Sequence, residues 1–164
     1  MYRTLAEAAA NCTRNISTVG SSTISKRSSA LTPERADPVH ELLEEMKEGD
    51  CSKRVGAICA LAELGPRAAS AVPALVSSLD DIDWVVRVAA ITALGELGAS
   101  ARESVPALVE TLQKDDVCVS AAIALGRIGP EARAATEALT ELRQRKTGFD
   151  CWCVEEALRL IRQR

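Results

Sequence analysis

Residues 83–98 read DWVVRVAAITALGELG. Val85, Val88, Ile91, Leu94 and Leu97 recur every three residues, which is one face of a helix. Gly98 stops it, as glycine does just past a helix end. The string has an earlier copy at residues 50–65, DCSKRVGAICALAELG. Val55 recurs as Val88, Leu61 as Leu94 and Gly65 as Gly98, and Asp50, Asp83 and Asp116 keep the same interval of 33. The next interval contracts to 31, taking Leu94 to Leu125 and Gly98 to Gly129. The missing residues fall around Asp115–Val117, where a connection between helices tolerates loss.

Each copy is followed by a second helical string: AVPALVSSL at 71–79, SVPALVETL at 104–112 and ATEALTELR at 135–143. In the middle one Val105, Leu108, Val109 and Leu112 form the stripe to be buried. Pro66 and Pro130 follow a glycine where a helix begins, and Pro73 and Pro106 fall in a first turn, where a missing N–H costs little. One such hairpin cannot bury its own apolar face, so neighbours must stack. The expected fold is all-α, an α-α superhelix of three full antiparallel helix-pair repeats (51–81, 84–114, 117–146) with a half repeat at each end (38–48 and 150–163).

These copies resemble HEAT repeats, specifically the short HEAT-like repeats found in phycobilisome bilin lyases and in many unrelated bacterial proteins. The match is D-x-x-x-R-V-x-A-x-x-A-L-x-E-L-G, carried by Asp50, Arg54 and Val55 through Gly65 and by Asp83, Arg87 and Val88 through Gly98, with V-P-A-L-V at 72–76 and 105–109. Asp83 is placed to cap its helix with Arg87 four residues on along the same face. The resemblance implies that Asp50, Arg54, Asp83 and Arg87 form a structural ladder from repeat to repeat. Cys118 and Cys151 stand where the arginines should, so the ladder is expected to weaken toward the C-terminus.

Composition limits the chemistry. The 164 residues hold one histidine, His40, and four aromatics, Tyr2, Trp84, Phe149 and Trp152. A histidine-dependent nucleophilic mechanism would run through His40 alone, and a zinc site has at most one imidazole. The stacked aromatics of a single-strand binder are missing. Residues 38–126 carry seven basic and fourteen acidic groups and residues 127–164 eight and six, an acidic body that does not attract a phosphate backbone. No fully apolar run approaches the ~18 residues of a membrane span. Six cysteines without a secretion signal fit a reducing cytoplasm. Cys151-Trp152-Cys153 places its thiols on opposite helix sides, which reads as packing rather than metal binding. No cofactor, metal, catalytic residue, nucleic acid or membrane is therefore expected, and the chain is expected to be a monomer and not an enzyme.

A partner-binding surface remains. The resemblance implies that second helices line the concave face. The outward position after the Leu75-Val76 pair holds Glu44, Ser77, Glu110 and Glu141, an acidic to neutral row suited to a basic or helical segment of another protein. Trp84, at a helix start, is the one aromatic expected to be exposed enough to anchor a partner. Trp152 takes the place of Val55, Val88 and Val119 and is expected in the core. The function so implied is a protein-binding scaffold or adaptor. A bilin lyase or phycobiliprotein-associated chaperone is the alternative by resemblance, and a DNA-binding HEAT-like protein is a third. Residues 1–37, rich in Ser and Thr with basic Lys26-Arg27, are expected to form a disordered tail ahead of a repeat domain at 38–164.

Overall fold

A computed structural model of the chain describes residues 38–163, and all eight of the α-helices below lie in that range. The disordered tail expected over residues 1–37 lies outside the described residues. The first helix, α1 (Pro38–Glu48), is a second-type helix. Then come three pairs: α2 (Cys51–Leu64) with α3 (Val72–Ser77), α4 (Trp84–Leu97) with α5 (Val105–Thr111), and α6 (Cys118–Ile128) with α7 (Thr136–Arg145). The first-type helix α8 (Gly148–Arg162) follows. The described residues contain no strand. This is the all-α repeat stack that the 33-residue period required.

Within each pair a short 3₁₀ segment, Gly65–Ala71, Gly98–Ser104 or Gly129–Ala135, turns the chain back. It begins at a glycine with φ 56° at Gly65 and Gly98 and 77° at Gly129. The accompanying ψ of −135° to −141° lies in a region that side chains with a Cβ avoid. Pro73 and Pro106 sit in the first turns of α3 and α5. Cys51–Asp80 and Trp84–Thr111 each hold an 18-residue window apolar enough by composition to cross a membrane, of mean hydropathy 1.3 and 1.2. Each turns back on itself at Gly65 or Gly98, so neither runs as one rod.

The first helices stack on one another, α2 on α4, α4 on α6 and α6 on α8. Small residues set how closely. A Cβ added at Gly95 would lie 3.0 Å from the Ala124 Cα, and one at Gly126 would lie 2.8 Å from the Ala157 Cα. The second helices instead meet the 3₁₀ segment of the following repeat, α3 against Gly98–Ser104 and α5 against Gly129–Ala135. One core runs through all repeats, with Leu61, Leu75, Leu94, Leu108, Leu125 and Leu139 wholly buried. Each contributes ~1.5–3 kcal/mol.

Three expectations needed correction. The buried face of α4 is Val86, Ala90, Ile91, Ala93, Leu94 and Leu97. Val85 is exposed and Val88 only half-buried, because alanines at the inter-helix contact carry the buried stripe toward Val86. Trp152 is 58% exposed, not core. Its equivalents Val55, Val88 and Val119 are themselves half-buried, so the register position leaves no room for an indole inside. The two lost residues are taken partly from the first turn of α6, which has 11 residues against 14 in α2 and α4. Its N-terminus has Val117 in place of an aspartate cap.

Candidate functional site

The Asp–Arg motif forms the ladder. Arg54 on α2 donates from Nη2 to Asp81 Oδ1 at 3.0 Å and to Asp83 Oδ2 at 2.9 Å, both on the connection that leads into α4. Its Nη1 donates to the Gly49 carbonyl at 3.1 Å. Arg87 repeats the pattern one repeat on. Its Nη1 donates to the Asp81 and Ile82 carbonyls at 2.8 and 3.1 Å, and its Nη2 donates to Asp116 Oδ2 at 2.6 Å. The hydrogen bond from Arg87 holds the Asp116 carboxyl below its ordinary pKa.

Asp50 caps α2 by accepting from the Lys53 N–H at 2.9 Å. Asp83 stands at the same position of α4 but makes no side-chain cap bond. Its carboxylate has turned to Arg54, so the expected cap at Asp83 and its pairing with Arg87 give way to contacts between repeats. Asp81, absent from the repeat pattern, is the acceptor that sequence reasoning missed. The ladder changes character at the start of α6. Cys118 is buried at the arginine position, and Asp115 is met by Lys146 Nζ at 3.4 Å and Arg145 Nη2 at 3.6 Å.

The row on the second helices is present but unequal. Ser77, Glu110 and Glu141 are exposed, on α3, α5 and α7. Glu44 on α1 is bonded to Lys47 Nζ at 2.9 Å, which lowers its carboxyl pKa. The Ser77 hydroxyl donates to the Pro73 carbonyl at 3.1 Å. Trp84 is exposed as expected, but it begins α4, a first helix, whereas Ser77, Glu110 and Glu141 stand on second helices. His40 is exposed on α1.

Two of the thiols, Cys51 and Cys153, lack the environment of a nucleophile. Burial pushes the Cys51 thiol up, and the neighbouring Asp83 carboxylate adds to it. Burial and Asp150 do the same to Cys153. Raised thiols stay protonated at neutral pH and react slowly. Among the described residues no three His, Cys, Asp or Glu side chains are grouped to hold a metal.

A cleft of about 410 Å³ lies between α7 and α8, lined by Thr140, Arg143, Glu155, Leu158, Arg159, Arg162 and Gln163. Its charges are largely paired: Arg143 lies 3.6 Å from Glu155, and Arg159 forks onto Glu156. On α8, Phe149 and Trp152 stack on each other with ring centroids 5.7 Å apart, both exposed. No sequence signal marks that pair beyond two aromatics three residues apart at a helix start.

The family model described as HEAT repeats matches residues 39–123, from α1 into α6 and just over half of the chain. No curated protein matches it.

Proposed function

We propose, from the premise that this chain belongs to the HEAT repeat family, that it is a non-catalytic scaffold or adaptor that binds another protein. HEAT repeats commonly serve as protein-interaction scaffolds. The observation that carries the reading is the continuous stacking of repeats on one core. Each repeat carries the same outward position of a second helix, so one extended segment of a partner would meet several repeats at once.

The row for that segment is Glu44, Ser77, Glu110 and Glu141. Small Ser77 leaves space at one step, and Glu110 and Glu141 supply negative charge at the next two. A basic, helical segment is complementary. Trp84 stands apart from this row and would contribute only to a partner that reaches the first helices.

Affinity capture from source-cell lysate, comparing wild type with Glu110→Lys/Glu141→Lys, tests the reading. A partner retained by wild type and lost by the variant supports the row. Equal retention removes these residues from the site. The absorbance of the eluate separates the alternative from the same experiment, since a bilin-carrying complex absorbs visible light.

A further inference from the structure

Among the described residues the exposed large apolar side chains are Ile82, Trp84, Val85, Ile123, Phe149 and Trp152. All stand on first helices or on the loop leading into α4. Past its first two residues α4 exposes only Thr92 and Glu96, and α6 exposes only Ile123 and Arg127. Half-buried Val55, Val88 and Val119 continue the row that ends in Trp152, across four helices. An ordinary solvated helix face is polar. A contiguous apolar one marks an interface.

Charge and size identify the occupant. The last turns of α2 and α4 expose Glu63 and Glu96, while α6 exposes Arg127 at the same register position. The same asymmetry holds for the whole chain, acidic over 38–126 and basic over 127–164. At one end the face carries the stacked Phe149–Trp152 pair. At the other, α2 offers Ser52 and Gly56, and nothing lies within 4 Å of where a Gly56 Cβ would stand.

We propose that this face docks a second copy of the chain, about a two-fold axis parallel to the first helices and passing between α4 and α6. The axis sets α8 against the partner's α2 and α6 against the partner's α4. Each aromatic pair then meets a small-residue end, and Arg127 meets the partner's Glu96. The contact is isologous and closes as a dimer. It leaves the glutamate row on the second helices free, so it goes beyond the scaffold reading and does not depend on it.

Analytical ultracentrifugation of the full chain under reducing conditions tests the proposal. Wild type should show a reversible monomer–dimer equilibrium. Trp152→Ala and Phe149→Ala should each weaken it by ~10-fold or more, with far-UV circular dichroism unchanged because both rings are exposed. Glu96→Arg and Arg127→Glu should each dimerise poorly alone and associate when mixed. Each of these variants loses the contact within the chain between Arg127 and Glu96, 3.4 Å, in both settings, so recovery on mixing reports contact between chains. A wild type that stays monomeric up to millimolar concentration overturns the proposal. So does an oligomer larger than a dimer, or a dimer indifferent to Trp152→Ala and to mixing.

Discussion

Gly98 shows how one residue sets a repeat. It ends α4 at φ 56° and ψ −135°, and the 3₁₀ segment depends on that turn. Its added Cβ would meet only the Arg127 carbonyl oxygen, at 3.9 Å, so the obstacle to a side chain is backbone conformation rather than space. Gly98→Ala should cost ~1–3 kcal/mol, lowering Tm by about 2–4 °C per kcal/mol for a chain of this size. Thermal unfolding followed by circular dichroism reads it. The ladder makes a second prediction. Asp116 titrates below its unfolded value because Arg87 bonds to it. A carboxyl lowered in this way stabilises the fold above the unfolded pKa, near ~4, and ceases to as pH falls through the folded value. The gap in urea midpoint between wild type and Asp116→Asn should therefore be full at neutral pH and close below about pH 4. A gap that persists in acid would mean that Asp116 acts through packing instead. Arg54→Ala should cost more than Arg87→Ala, since Arg54 and Asp81 are four-fifths shielded from solvent while Asp116 is half exposed.

At the scale of elements the close stacking of first helices is the controlling feature. Gly95 and Gly126 let α4, α6 and α8 approach nearly backbone to backbone. Gly126→Ala brings a methyl to 2.8 Å from a Cα that cannot rotate away, so α6 and α8 must part. We expect it to destabilise by ~1–3 kcal/mol, although the same change on an exposed helix would stabilise by about 1 kcal/mol. Chemical denaturation decides the sign. The same element scale marks where sequence was sufficient and where it was not. Leu61, Leu94 and Leu125 declared the helices through their period, and Gly65, Gly98 and Gly129 declared the turns. The face that each helix buries was less legible. Periodicity of large residues chose Val85 and Trp152, whereas alanines at the inter-helix contact rotate the buried stripe toward Val86 and Cys153. Alanine carries little weight in a hydrophobic pattern, yet Ala124 and Ala157 are where neighbouring helices touch. Asp81 escaped notice because it lies on a connection and has no copy in the other repeats.

Over the whole molecule, the repeats share one core but not one surface. Arg159 occupies in α8 the position held by Gly95 in α4 and Gly126 in α6. A further first helix cannot approach α8 as α8 approaches α6, and Arg159 instead forks onto Glu156, whose carboxyl pKa it lowers. The two long faces diverge as well: glutamates mark the second helices, and valines with an aromatic pair mark the first. The composition carried the charge asymmetry, but only the structure separated the faces, because it depends on how far each helix is rotated in the stack. Site-specific photo-crosslinking reads both faces at once. A crosslinking residue is placed singly at Ser77, Glu110, Val85 or Arg102 of the full chain, with exposed Arg102 on the 3₁₀ turn as the reference. Positions 77 and 110 should yield adducts with a different protein in source-cell lysate, and position 85 an adduct of twice the chain's mass. Adducts at 77 and 110 no more abundant than those at 102 would contradict the scaffold surface.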